Sequence, residues 1–492
     1  MAVALDLLFA DTIAQQALRD PLAAAIVHES RVINYGELAS HIDRVAALLW
    51  HDWGVRSGDR VAWLGESDPA VIVLLFALAR IGAVLLPLNF RLAPAEWDGL
   101  LAQCTPRRLV HDQAWAPAAR EAAQRNGVQA HHARELEASA AAPRAPDHAK
   151  AEAPVLLVFT SGTTGRPKAA VHTQANLAAN MRIAAHVQEL HPGDRIATML
   201  PLFHVGGLCI QTLPALGVGA QVLLLPRFAP DAAFDCFESS RPTLTLQVPA
   251  TMKALVEHPR WAGADLSSLR AVWAGSSLIP ASLVEAFHAR GLPVCNIYGA
   301  TETGPFSIAL PPAWARARSG SCGWPAPHVQ VMLADPKEDG AGELWVRAPN
   351  VVQRYWPDEP ACDAQGWFHT GDLARQDADG SITIVGRAKD LIISGGENIH
   401  PAEIEQALMS HPAVLECAAF GVTDAEWGEA VAVAVVARPG ASPTEDELRA
   451  HLAARIARYK MPRRWLWVDA LPKTALGKVQ RGALAQLVPP RG

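Results

Sequence analysis

The sequence predicts an α/β fold, with a large N-terminal domain of parallel-rich sheets sandwiched by helices (residues 1–388) and a small C-terminal α+β domain (389–492). Three observations carry that prediction. A chain of 492 residues is too long for one ordinary hydrophobic core. From Val155 onward, short apolar runs alternate with segments of helical length, the signature of βα units and hence of parallel strands covered on both faces. Beyond the β-like stretch 381–385 and a break near 387–390, about a hundred residues carry helices and strands of their own, enough for a small independent core.

In chain order, the first strong element is the apolar segment 70–88. It approaches membrane-spanning length, but Arg80 lies at its middle and Gly82 and Pro87 interrupt it. It reads as a buried helix over 70–80 that turns at Gly82 into a buried strand. Residues 130–153 are rich in Ala, His, Glu and Pro without a sustained period, which predicts a surface connection. Strands are then expected at 155–158, 196–200, 222–225, 244–248, 269–273 and 294–298. In the small domain the expectation is a helix at 401–409, strands at 418–422 and 430–437, and a helix over 444–456.

Composition narrows the function. Lys and Arg total 43 against 49 Asp and Glu, for a net charge of −6, and no long basic block occurs, so nucleic acid is not an expected partner. The seven cysteines, at 104, 209, 236, 295, 322, 362 and 417, form no CxxC pair and no zinc-ligand spacing. Their odd, dispersed pattern fits a reducing cytosol. With no basic stretch ahead of an apolar one at the N-terminus, a cytoplasmic location is expected.

The most informative string is Phe159-Thr160-Ser161-Gly162-Thr163-Thr164-Gly165-Arg166-Pro167-Lys168, directly after an apolar run. Glycines let backbone approach an anion, hydroxyls donate to phosphate oxygens, and the lysine supplies a mobile charge. The spacing differs from the common P-loop, in which Ser or Thr follows Gly-Lys at once. A nucleotide triphosphate is nonetheless the natural guest, and both this loop and Tyr298 fall at strand ends, where open α/β sheets bind ligands.

With these residues in place the chain resembles the adenylate-forming superfamily of acyl-CoA synthetases, aryl-CoA ligases, adenylation domains and luciferases. Five further strings occur in that family's order: 201–207 (PLFHVGG), 298–304 (YGATETG), 366–372 (GWFHTGD), 386–390 (GRAKD) and 472–478 (PKTALGK). The resemblance implies that ATP is held by Thr160 to Gly165 and Lys168, by Gly275 and Ser276, and by Tyr298, Gly299, Ala300 and Thr301, with Asp372 and Arg387 on the ribose. It implies Mg²⁺ at Glu302, a hard oxygen ligand, and Lys478 bridging carboxylate and α-phosphate, so that Lys478, Glu302, Thr301 and Lys168 carry the catalysis. It implies a mobile small domain turning at a hinge at Lys389, and a CoA tunnel lined by Ser394, Gly395 and Gly396. The basic residues Arg455, Arg458, Lys460, Arg463 and Arg464 are candidates for CoA phosphates or for a solvated face.

The acid site is expected around His204, Gly206, Trp273 and Gly304, with Trp273 either walling the pocket or filling core. Amino-acid-activating relatives place an aspartate where His204 stands, to pair with an ammonium, and a neutral imidazole does that less well. The expected activity is therefore ATP-dependent ligation of an apolar medium-chain fatty or aryl acid to CoA. An o-succinylbenzoate ligase is the alternative within the family; a catalytically inactive nucleotide-binding protein and a luciferase-like oxygenase are alternatives of another class. The partners are small molecules, and a homodimer is compatible with the sequence.

Overall fold

The computed structural model describes residues 8–139, 143–160, 167–275, 279–337, 340–394, 397–424, 427–474 and 477–488. Contacts group the chain into two compact units: residues 1–277, 287–331 and 346–369, and residues 278–286, 332–345 and 370–492. The break expected after residue 388 falls inside the second of these.

The first unit holds two large sheets. In one, six strands run parallel in the order Val294–Tyr298, Ala271–Gly275, Leu244–Gln247, Arg195–Thr198, Gln221–Leu224 and Ala24–His28, with antiparallel strands added at both edges. In the other, Pro154–Thr160, Val84–Pro87, Arg60–Leu64, Arg108–His111 and Gln129–His132 are parallel, and Lys168–Thr173 returns antiparallel on Pro154–Thr160. All six strands expected from 155 to 298 are present within a residue or two at most ends.

Helix Pro69–Arg80 begins where its sequence says it should. Asp68 accepts from the Ala70 N–H at 2.7 Å and Pro69 occupies the first turn, where its missing N–H costs nothing. Every residue from Ala70 to Arg80 is buried, and Arg80 is tolerated because its guanidinium meets Asp43. No helix among the described residues is long and apolar enough to cross a membrane.

Residues 130–153 are not purely a connection. Strand Gln129–His132 extends the second sheet and helix Ala133–Glu137 follows, started by a reciprocal cap in which His132 Nδ1 accepts from Arg134 N–H and Glu135 accepts from His132 N–H. Elements of four and five residues are too short to show a period, which is why the sequence reading passed over them.

In the second unit, Asp372–Gln376 pairs antiparallel with Ile382–Arg387. A five-stranded sheet follows, with Val414–Asp424 antiparallel to Gly428–Ala437 and Arg464–Trp467 parallel to it. Helices Pro401–Met409 and Glu445–Ala453 pack Ile404, Leu408, Leu448 and Leu452 against Val431, Val433 and Val435. The second of these helices starts after Thr444, whose hydroxyl accepts from Glu447 N–H, and ends at Ala453, three residues short of the expected 456.

Candidate active site

The strands flanking the phosphate-loop string fix its two ends. Thr160 and Lys168 stand opposite each other in the antiparallel ladder; Ser161, Gly162, Thr163, Thr164 and Gly165 lie outside the described residues. Lys168 is half-buried, its ammonium on the Glu359 carboxylate and 5.1 Å from the centre of the Tyr355 ring. Tyr355 reaches this place because Arg354–Tyr355 adds to the same sheet, Tyr355 opposite Ala170. Its hydroxyl donates to Glu302 Oε1 at 3.0 Å. Burial, then the Glu302 charge, push the phenol well above its ordinary range, so it stays a donor.

The loop after strand Val294–Tyr298 admits glycine and little else. A Cβ on Gly299 would lie 1.7 Å from the Pro305 carbonyl oxygen, so the backbone could not hold its course with any side chain there. Gly304 adopts φ +96°, in the left-handed region. Between them, Thr301–Thr303 forms one 3₁₀ turn closed by Thr303 Oγ1 accepting from Ala300 N–H at 2.9 Å. Thr301 is half-buried, and its hydroxyl has no partner among the described residues. Glu302 is 8% exposed, and Val352 N–H donates to its carbonyl at 2.8 Å. A buried carboxylate with one neutral donor and no cationic partner among the described residues has the chemistry of a hard-cation ligand, so Glu302 fits Mg²⁺.

Gly275 closes its strand against Ile297, whose carbonyl oxygen would be 2.5 Å from an added Cβ. Ser276 lies outside the described residues. Trp273, two residues earlier, has no exposed surface; its ring centre is 6.4 Å from that of Phe306, and its Nε1 lacks an acceptor among the described residues. A fully buried ring packed near Phe306 is compatible with either of the two roles expected for it. His204 caps the helical turn Val205–Gly207, its Nδ1 accepting from Gly206 N–H at 3.0 Å. In the neutral ring that bond puts the proton on Nε2. A Cβ on Gly207 would lie 2.4 Å from the Pro201 carbonyl oxygen, which explains the second glycine of the pair.

The remaining expected residues belong to the second unit. Asp372, 6% exposed, takes Arg387 Nε on Oδ1 at 2.6 Å, the two being register partners on adjacent strands. Lys389 is exposed in the 3₁₀ turn Ala388–Asp390, while its neighbour Asp390 is held by Arg481 at 3.2 Å. Ser394 is buried, paired with Glu397; Gly395 and Gly396 lie outside the described residues. Lys478 is exposed at the end of a tight turn in which Gly477 N–H donates to Thr474 O and Thr474 N–H to Lys478 O, both at 2.8 Å. Within the basic cluster, Lys460 is paired with Glu403, Arg464 with Asp424, and Arg463 lies over the Trp427 ring. Two of the five candidate phosphate binders are thus already engaged in structural ion pairs.

Sequence reasoning missed Tyr355 and Glu359, and with them the segment that supports Glu302 from behind. It also missed Asn176, Asn180 and Asn350. One signal was available: two asparagines four residues apart inside helix Gln174–Val187, poor helix formers on a buried face, need partners from elsewhere.

Residues 13–356 match the AMP-binding enzyme family and residues 403–478 the AMP-binding enzyme C-terminal domain. The chain is 42% identical to an indoleacetate–CoA ligase of Aromatoleum aromaticum over 95% of its length and 96% of the relative's. It is 39% identical to a feruloyl-CoA synthase of Amycolatopsis, again over 95% and 96%. Among solved structures, it superposes on the o-succinylbenzoate coenzyme A synthetase of Bacillus subtilis in complex with ATP and magnesium ion with a TM-score of 0.87, at 29% identity, covering 96% of this chain and 99% of that one. With glycines, carboxylate and lysine standing where the motifs require them, the chain belongs to the AMP-binding enzyme family.

Proposed function

We propose that the acid activated by this chain is an aryl acid whose carboxylate sits on a short side chain, of the arylacetate or arylacrylate kind. The chain is an AMP-forming acid–thiol ligase that uses ATP, Mg²⁺ and CoA. A carboxylate oxygen attacks the α-phosphorus, the bond to the bridging oxygen breaks and pyrophosphate leaves. The CoA thiolate then attacks the carbonyl carbon of the acyl-adenylate, AMP leaves, and the thiol proton passes to solvent or base.

Each step needs charge neutralised by groups already in place. Lys168 and the phosphate-loop hydroxyls take the triphosphate, and Tyr298 and Gly299 take the adenine. Thr301 directs its hydroxyl to a phosphate oxygen. Mg²⁺, held by Glu302, supplies positive charge to the phosphates when bound, and Tyr355 keeps that carboxylate oriented. His204, at the start of the Val205–Gly207 turn, lines the acid side of the site. Asp372 and Arg387 take the ribose, and Lys478 serves adenylation. The small domain, 389–492, turns about Lys389 so that Ser394, Gly395 and Gly396 line the thiol path in the second step. A cytoplasmic location suits the seven free cysteines, and a homodimer would cover exposed Leu18, Leu22 and Val32.

The choice of acid rests on one observation: the relatives at 42% and 39% identity carry the names of aryl acids. The local chemistry agrees, since the 204–209 segment supplies no charge and Phe306 is aromatic and buried. An o-succinylbenzoate ligase is the second reading, favoured by the Bacillus subtilis structure. Its substrate carries a second carboxylate, for which the 204–209 segment offers no cation. ATP–pyrophosphate exchange with indole-3-acetate, ferulate, o-succinylbenzoate and octanoate tests the choice. Exchange supported best by the first two is expected; best exchange with octanoate or o-succinylbenzoate would overturn it.

A further inference from the structure

Asn180 is 1% exposed and Asn350 is not exposed at all, and they join the helix Gln174–Val187 to the loop that follows strand Val294–Tyr298. Asn180 Nδ2 donates to the Cys209 carbonyl at 2.7 Å, inside the π-helical stretch Leu208–Thr212 that continues the His204–Gly207 turn. Its Oδ1 accepts from Asn350 Nδ2 at 3.3 Å, and the same Nδ2 meets the carbonyls of Thr303 at 2.8 Å and Phe306 at 3.0 Å. Both amide orientations are therefore fixed by their partners. The path runs without a gap from the helix behind His204 to the loop that carries Thr301 and Glu302.

Two features make this more than a core hydrogen bond. A π-turn displaces carbonyls from their helical partners, and here each displaced group is answered by a side chain: Thr212 Oγ1 donates to Gly207 O, Asn180 to Cys209 O and Gln188 Nε2 to Ile210 O. The acid-side helix is thus held in an irregular register by buried polar groups whose hydrogen bonds reinforce one another. Gly304 lies directly on the link, since a Cβ there would be 2.7 Å from Asn350 Nδ2 and 3.0 Å from Asn180 Oδ1. Movement of the 300–306 loop therefore bears on both amides.

We propose that Asn180 and Asn350 are positioning residues that transmit occupation of the nucleotide loop to the acid-side helix, so that ATP binding sets the geometry in which the carboxylic acid is received. This rests on the placement of ATP at 298–304 and of the acid at 204–207 given above. Asn176 provides the control: it donates to the Pro349 and Val351 carbonyls at 2.9 and 3.1 Å, bracing the same segment from the same helix without touching Cys209.

Hydrogen–deuterium exchange with Mg·ATP alone as the probe makes the test independent of which acid is used. In the unmodified protein, Mg·ATP should slow exchange in a peptide covering 298–306 and, about tenfold, in one covering 204–213. In Asn350→Ala and Asn180→Ala, the first protection should persist and the second vanish; in Asn176→Ala both should persist. Asn180→Asp, which keeps the acceptor and loses the donor to Cys209, should behave as Asn180→Ala. Should a variant fail to fold, the comparison of the two peptides in the unmodified protein still decides. Protection of 298–306 that never reaches 204–213 overturns the link, as does its loss in Asn176→Ala to the same degree. Absence of protection at 298–306 would instead count against the nucleotide placement. With indole-3-acetate as acid, the two alanine variants should raise its KM about tenfold while changing kcat less than threefold; equal losses in both would mark a merely structural role.

Discussion

His172 provides a prediction whose size follows from its surroundings. It lies on strand Lys168–Thr173, wholly buried, with neither ring nitrogen hydrogen-bonded among the described residues. Burial without a partner disfavours the charged ring and lowers its pKa from 6.5 to about 4. The sign follows from proton binding. Above pH 6.5 both folded and unfolded chains hold it neutral; below that, the unfolded chain takes up a proton that the folded chain refuses until about pH 4. Stability is therefore unpenalised above pH 6.5 and falls through the window from 6.5 to 4, by about 3 kcal/mol in all and about 2 kcal/mol by pH 5. The perturbation is His172→Leu, which removes the titrating group at similar volume. Urea unfolding at pH 7.5 and pH 5.0, followed by tryptophan fluorescence, should show the variant losing about 2 kcal/mol less than the unmodified protein over that interval. His41, His111 and His451, also lowered by burial, contribute to both proteins and cancel in the comparison. Equal pH dependence in the two proteins would refute the reasoning.

Three further predictions concern the site. Tyr355→Phe removes the one side-chain donor to the buried Glu302 carboxylate among the described residues, a bond to a charged group worth about 1.5–3 kcal/mol, so adenylation should fall about 10–100-fold in a protein that still melts cooperatively; a change under threefold in ATP–pyrophosphate exchange contradicts the role given to Tyr355. Gly299→Ala places a Cβ 1.7 Å from a carbonyl oxygen, so exchange activity should drop at least tenfold, whereas near-normal exchange would mean the 298–306 backbone is not fixed as described. Lys478→Ala should slow adenylation roughly a hundredfold while leaving thiol transfer from synthetic acyl-adenylate within a few fold; single-turnover assays of the two halves would disprove the division of labour if both fell equally.

How far the sequence carried the fold depended on whether an element declares itself locally. Helix Pro69–Arg80 did, through Asp68, Pro69 and an unbroken apolar run, and Pro401–Met409 did for the same reason of a proline at its start. The parallel strands did because doubly covered strands are apolar throughout. The site was legible where glycine and charge cluster in one string, as at 298–304. It was not legible where function rests on partners far apart in the chain: Tyr355 and Glu302 are separated by 53 positions, Lys168 and Glu359 by 191, Asn180 and Asn350 by 170. No period or propensity links such residues. Their side chains are ordinary in isolation, and only the antiparallel addition of Arg354–Tyr355 to Lys168–Thr173 brings the first two pairs together.

The central claim is that one site converts a carboxylic acid and ATP to an adenylate and then to a thioester. The most direct measurement is the product balance of the purified protein given Mg·ATP, CoA and indole-3-acetate, resolved by chromatography. The account predicts indoleacetyl-CoA, AMP and pyrophosphate in equal amounts; ADP with orthophosphate, or AMP formed without thioester when CoA is saturating, would contradict it.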